Sequence, residues 1–217
     1  ERELMLAGVS HDLRTPLTRL RLSMEFLHTD SELTEDMVRD IEDMDAILDQ
    51  FLAFIRDGRD ESVEEVDLCV LVRVVAAPYN QNEERVRLRL EPIQPFPLRR
   101  VSIKRLLVNL IENALRYGGH GVEVAAYVTG SCGAPYVVLS VLDRGAGVDP
   151  TELDAIFNPF IRGDRARGGK GTGLGLAIVK RIAALHGGSV ELRNRSGGGM
   201  EARVCLPIGL MLPRDAV

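Results

Sequence analysis

The chain has 217 residues, 45% hydrophobic and 27% charged, with 27 Lys and Arg against 32 Asp and Glu. That balance is ordinary for one or two globular domains and excludes disordered, collagen-like and disulfide-scaffold classes. No run reaches the roughly 18–20 apolar residues of a membrane span, no signal peptide opens the chain, and a mildly acidic balance argues against a general nucleic-acid binder. The three cysteines, Cys69, Cys132 and Cys205, are isolated and lack metal-site spacing, which points to a reducing compartment.

Charge divides the chain. Residues 1–61 hold 16 acidic and 7 basic residues, net −9, whereas the remainder holds 16 acidic and 20 basic, net +4. A domain boundary is therefore expected near Gly58-Arg59-Asp60-Glu61-Ser62, giving domains over 1–60 and 61–217. In the acidic part Leu6, Val9, Leu13, Leu17, Leu20, Met24 and Leu27 recur in steps of three and four. Leu33, Met37, Ile41, Met44, Leu48, Phe51 and Ile55 repeat the pattern. Both stripes predict amphipathic helices, and the short link His28-Thr29-Asp30-Ser31 makes them an antiparallel hairpin. Two helices cannot cover both stripes, so a second copy completing a four-helix bundle is expected. The first helix begins at Glu1-Arg2-Glu3 without a cap, as expected of a piece of a longer chain.

Within that helix Val9 and Leu13 flank His11, which puts the imidazole off the apolar seam. Thr15 lies one turn further on the same face, and Pro16 introduces a kink just beyond it. Taken alone, this segment reads sooner as a solvated face that carries a histidine by chance.

The second part mixes helices and strands. A helix over 68–77 follows Asp67 as N-cap, a strand over 86–90 alternates, and a helix over 102–117 ends at Gly118-Gly119. Strands over 122–128 and 136–142 precede a glycine-rich stretch, 143–171. A helix over 172–186 stops at Gly187-Gly188, and strands over 189–193 and 200–206 close the chain. The order suits a two-layer sandwich, with helices on one face of a mixed sheet.

Four clusters in this part carry chemistry. Asn109, Asn113 and Tyr117 share one helix face, with Arg116 at its edge. Asn is a mediocre helix former, and paired amide oxygens suit Mg²⁺ beside phosphates. Asp143-Arg144-Gly145-Ala146-Gly147 ends an apolar strand, where a buried carboxylate can accept from an exocyclic amine and glycines admit a flat base. Phe157-Asn158-Pro159-Phe160 and Arg162-Gly163-Asp164 put aromatics in a polar loop, as an anchor for a mobile segment or, for Phe157, as core. Gly168-Gly169-Lys170-Gly171-Thr172-Gly173-Leu174-Gly175-Leu176 opens a helix, where glycine amides and the helix dipole cradle an anion. It matches neither the Walker nor the dinucleotide pattern, and the roughly 28 residues before it exceed ordinary connections, as a lid does.

Together these clusters resemble the boxes of bacterial sensor histidine kinases. His11-Asp12-Leu13-Arg14-Thr15-Pro16 is similar to the H box, Asn109–Tyr117 to the N box, Asp143–Gly147 to G1, Phe157–Phe160 to F and Gly171–Leu176 to G2, in family order. The H box and Phe160-Ile161-Arg162-Gly163-Asp164 look most like the osmosensor EnvZ group. The resemblance implies an α+β chain: a dimeric four-helix bundle followed by an ATP-binding sandwich of the Bergerat, or GHKL, type. It implies that His11 accepts the γ-phosphoryl group of ATP, that Asp12 orients the ring and takes its proton, and that Asn113, assisted by Asn109, holds Mg²⁺. It further implies that Arg116 supplies charge where a Lys is usual, that Tyr117 packs on the nucleotide, and that Asp143 reads the adenine amine. Gly145, Gly147, Gly171, Gly173 and Gly175 then shape the lid and cradle, joined in the nucleotide site by Phe160, Arg162, Lys170, Thr172 and Leu174. A response-regulator receiver domain would receive the phosphoryl group from His11, and Thr15 would help a water remove it. The whole protein would sit at the inner membrane through segments outside these 217 residues, with this part in the cytoplasm. The nucleotide part is also similar to the ATPases of type II topoisomerases, mismatch repair and a heat-shock chaperone. Those hydrolyse ATP with a helix glutamate, for which Glu112 is the candidate.

Overall fold

The computed structural model describes residues 60–118, 121–130, 135–161 and 173–208, with Thr18, Leu20, Met37, Val38, Ile41, Glu42, Met44 and Leu48 before them. The chain divides into two compact units, Glu1–Arg56 and Asp57–Val217. In the first unit every described position is α-helical. Ile41 is buried, while Leu20, Met37 and Met44 are half exposed although they belong to the apolar stripes. The pairing of the two helices, and His11, Asp12 and Thr15 with it, lies outside the described residues.

The second unit begins with β1 (Glu64–Val66), which pairs antiparallel with β3 (Phe96–Leu98) and leads into α1 (Leu68–Ala76). The Asp67 carboxylate caps α1 by accepting from the Val70 N–H at 2.9 Å, as its position before an apolar run predicts. Leu68, Leu71, Val72, Val75 and Ala76 form the buried face of α1. A short 3-10 turn, Ala77–Asn80, follows, and the Asn80 side chain ties down β2 (Val86–Leu90) through the Val86 carbonyl and the Arg85 and Val86 amides.

Helix α2 (Arg100–Tyr117) starts two residues before the sequence-based expectation, and its cap comes from far away. The Glu61 carboxylate accepts from Ser102 N–H (2.9 Å) and Ser102 Oγ–H (2.7 Å) and from the Val101 N–H, satisfying donors that the first turn leaves without helical partners. Six apolar residues, Ile103, Leu106, Leu107, Leu110, Ile111 and Ala114, give α2 its buried face. Each large one contributes about 1.5–3 kcal/mol on leaving water.

A five-stranded sheet forms the second layer in the order β2-β4-β5-β7-β6, where β4 is Val122–Thr129, β5 Tyr136–Leu142, β6 Ser189–Asn194 and β7 Met200–Pro207. Strands β2 and β4 run parallel because α2 carries the chain across between them; the remaining pairs are antiparallel. Strand β7 alternates with period two: Met200, Ala202, Val204 and Leu206 are buried and their neighbours are not. In register with them, Val137, Leu139 and Val141 of β5 and Leu192 of β6 line the helix side. The other face carries Arg87, Glu123, Glu191, Arg193, Glu201 and Arg203. The last helix, α3, is Gly175–Leu185, which starts later than the expected 172; Leu174, fully buried, is its N-cap. Among the described residues no helix is long and apolar enough to cross a membrane.

His186 joins α3 to α2. Its ring is buried, its Nδ1–H donates to the Ile182 carbonyl (2.8 Å), and its Nε2 accepts from the Arg99 N–H (3.1 Å), so it is neutral in one tautomer. Burial pushes its pKa down, nearby Arg99 adds to the fall, and the Ile182 carbonyl and Glu61 oppose it. The unfolded chain takes up a proton near the ordinary value of about 6.5, whereas the folded ring resists until lower pH. Between those values the unfolded state holds more protons, so stability is intact above the unfolded pKa and declines as pH falls through the window. The thermal midpoint should fall between about pH 7.5 and about pH 5.5, and His186→Gln should flatten that slope. An equal slope in the variant would defeat the assignment.

Candidate active site

The C-terminal half of α2 presents two amides one turn apart. Asn109 donates from Nδ2 to the Arg105 carbonyl at 2.9 Å, which turns Oδ1 outwards toward the start of α3. A Cβ on Gly175 would come within 3.0 Å of that oxygen, so the bare glycine lets the helix N-terminus approach it. Asn113, half-buried, makes no side-chain hydrogen bond among the described residues. The amide oxygens are hard donors of the kind Mg²⁺ takes, with room left for phosphate and water oxygens. This donor set fits that ion.

At the end of β5 Asp143 is 4% exposed. Its Oδ1 accepts from the Gly145 N–H (2.8 Å) and the Met200 N–H (3.1 Å), and its own N–H donates to the Met200 carbonyl. Its Oδ2 accepts nothing among the described residues. One oxygen is thus fixed by backbone and the other is left to receive a donor, which is what reading an exocyclic amine requires. Arg195, on the turn between β6 and β7, donates from Nη1 to the Asp143 carbonyl. Sequence reading missed Arg195, because the partners lie 52 positions apart and nothing local marks it.

Gly145 allows the Asp143 loop to lie against the end of α2: a Cβ there would sit 2.4 Å from the Tyr117 carbonyl oxygen and 2.9 Å from Gly118 Cα. Tyr117 and Arg116 end the helix exposed beside this loop. The structure therefore brings Asn109, Asn113, Arg116, Tyr117, Asp143, Gly145 and Gly175 to one region.

The segment between the site and α3 resolves the two aromatics differently. Phe157, in a short 3-10 turn (Ala155–Phe157), is buried with Lys180 Nζ 5.5 Å from its ring centroid; the core alternative holds for it. Phe160 is 62% exposed and adopts φ +65°, unusual for a residue with a side chain. Its N–H donates to the Gly173 carbonyl at 3.1 Å, so positions 160 and 173 meet. Gly173 has φ +72°, and a Cβ on it would press on the Phe160 backbone at 2.9 Å. Leu174 plugs the core as the cap of α3 rather than lining a surface. Arg162, Lys170, Gly171 and Thr172 lie outside the described residues.

Glu112 has a partner on another element. It stands about 100° around the helix from Asn113 and accepts from the Tyr79 hydroxyl at 3.4 Å. Burial and the neighbouring carboxylate push the Tyr79 phenol up to about 12.

A mixed sheet backed by helices, with two outward amides, a half-satisfied buried aspartate and a glycine-opened helix N-terminus, defines a nucleotide-binding sandwich. Residues 99–210 match the histidine kinase-, DNA gyrase B- and HSP90-like ATPase family, and residues 1–59 match the His Kinase A phospho-acceptor domain. The chain belongs to the sensor histidine kinases, as the order of its boxes implies. It is 39% identical over 208 residues to the sensor histidine kinase GtrS of Pseudomonas aeruginosa, covering 95% of this chain and 42% of that one. The crystal structure of full-length ShkA in complex with AMPPNP has a TM-score of 0.75 and 26% identity, covering 94% of this chain and 45% of that one. The NMR structure of the histidine kinase domain of the E. coli osmosensor EnvZ is 33% identical with a TM-score of 0.54, over 73% of this chain and 96% of that one. The chain spans less than half the length of GtrS.

Proposed function

We propose that this chain is the part of a sensor histidine kinase that transfers the γ-phosphoryl group of ATP to His11 and then to an aspartate of a response regulator. The observation that carries the reading is the buried Asp143, whose Oδ2 accepts nothing among the described residues, standing in one site with the Asn113 amide, which likewise has no partner among them. Asp143 accepts the adenine amine, and Tyr117 and Phe160 flank the nucleotide. Arg116, Arg162, Lys170 and Thr172 with the amides of Gly171, Gly173 and Gly175 receive the phosphates; Leu174 fixes where that helix begins. Asn113 and Asn109 hold Mg²⁺, which when bound neutralises charge on the phosphates. The neutral His11 ring is the nucleophile and Asp12 takes its proton, so positioning and charge neutralisation carry the step. Residues 1–60 form the dimerisation and phosphotransfer domain and 61–217 the catalytic domain. The half-exposed apolar Leu20, Met37 and Met44 support a second copy covering the stripes. Thr15, four residues after His11, positions a water against the regulator's acyl phosphate, which makes the protein a phosphatase as well. Anchoring in the inner membrane belongs to segments beyond these residues.

The candidate base of the hydrolase alternative, Glu112, accepts from the Tyr79 hydroxyl. Incubation of the full chain with γ-labelled ATP and Mg²⁺ should give acid-labile, alkali-stable label on the protein, absent in His11→Gln. Added regulator should collect the label, and Thr15→Ala should spare labelling of His11 while slowing loss from the regulator. Release of free phosphate with no protein label would identify a hydrolase instead.

A further inference from the structure

The turn joining β6 to β7 does more than close a hairpin. Asn194, the last residue of β6, directs both ends of its amide at one residue 46 positions earlier: Oδ1 accepts from the Val148 N–H at 3.0 Å, and Nδ2 donates to the Val148 carbonyl at 2.6 Å. Val148 belongs to no strand, so one side chain supplies the pair of bonds that a neighbouring backbone would otherwise provide. The fit has a second, independent mark. Gly147 has φ +71°, and a Cβ on it would lie 2.5 Å from Asn194 Oδ1. The amide occupies the space that any side chain at 147 would fill.

The same hairpin holds the other end of the segment, where Met200 N–H and Arg195 Nη1 bind Asp143. Asp143 to Val148 is therefore a short arch fixed at both feet by residues 194–200. Beyond it the chain is taken over by Asp149, whose carboxylate accepts from Thr151 N–H and Oγ1–H.

We infer that Asn194 is a positioning residue for nucleotide binding: by clamping Val148 it keeps the arch, and the Asp143 carboxylate within it, in the geometry that receives the base. The inference rests on the ATP reading of the site. Losing two hydrogen bonds, each of modest net strength, should release the arch rather than unfold the domain.

The test uses the full chain and two variants, Asn194→Ala and Gly147→Ala, the second pushing the amide out from the other side. Each should raise KM for ATP in His11 labelling by about tenfold, with kcat within about twofold, the scale expected for two such bonds. Amide exchange at Val148 should accelerate in both; the thermal midpoint of Asn194→Ala should stay near that of the parent, while that of Gly147→Ala falls because alanine is strained at φ +71°. Faster exchange at Val148 with unchanged KM would overturn the inference. So would a fall in kcat and thermal midpoint together in Asn194→Ala, which marks a purely structural residue. Asp143→Asn is the control for the site itself: if it binds ATP as the parent does, the site reading fails and takes this inference with it. If Asp143→Asn weakens ATP and Asn194→Ala does not, only the role of Asn194 falls.

Discussion

Replacing Asn113 by Ala should abolish Mg-ATP binding and His11 labelling together while leaving the fold at least as stable. The two halves of this expectation have separate causes. Asn113 makes no side-chain hydrogen bond among the described residues, and Ala is the better helix former by a few tenths of a kcal/mol, so α2 loses nothing. The site loses an oxygen ligand where phosphate charge must be neutralised, and defects of that kind cost about a hundredfold or more. Asn109→Ala should be milder, because Asn109 spends its Nδ2 on the Arg105 carbonyl and assists rather than leads. Calorimetric titration with ATP, with and without Mg²⁺, and a melting curve of each variant measure both halves. Labelling retained in Asn113→Ala would refute its metal role, and a melting point lowered in step with activity would show a structural residue.

Gly145→Ala should damage stability and nucleotide binding at once. The added methyl would meet backbone on two sides, the Tyr117 oxygen at 2.4 Å and Gly118 Cα at 2.9 Å, and neither can rotate away as a side chain could. The arch must lift from the end of α2, which strains the Gly145 N–H bond that fixes Asp143 Oδ1. Overpacking of this sort costs about 1–3 kcal/mol. Displacing the carboxylate that receives the base should weaken ATP by about tenfold or more, the scale of a lost hydrogen bond to a charged group. Denaturant midpoints and ATP titration of the same preparation test the pair. Unaltered ATP affinity would mean that this loop does not seat the base.

Both variants act at features that sequence spacing already marked, and the reason is that the signals are local. Asn109 and Asn113 stand at helical spacing within α2, and Asp143 ends an apolar run, so local pattern marked them. Strand β2 falls at its expected limits because its apolar residues alternate between charged flanks, and β5 because a nearly continuous apolar run is bounded by Pro135 and Asp143. What escaped is non-local or short. β1 and β3 have three residues each; β1 opens with two glutamates, and β3 contains Pro97, which argues against a strand unless the partner lies on its free side. The Glu61 cap of α2, His186 on the Arg99 amide, and Asn194 and Arg195 on the Asp143 arch each bridge dozens of positions. A polar residue that serves a distant backbone leaves no pattern near itself. Leu174 shows the converse limit: the glycine-rich motif located the start of α3, but that the leucine faces the core follows only from packing.

Among the described residues, the order of the sheet leaves β6 with one unpaired side. An open strand edge of six residues, with valine and leucine on one face, is a template onto which another polypeptide could add by main-chain bonding. On the opposite face Glu191 and Arg193, two residues apart, form an exposed ion pair at 2.7 Å, and Arg203 stands across from Glu191 on β7. A strand arriving at that edge must set its own side chains beside this hydrated pair, strip its water and match both signs. At the far border of the sheet Arg87 and Arg89 of β2 sit with Glu84 and Glu123 in the same manner. Charged pairs thus stand at both borders of the sheet.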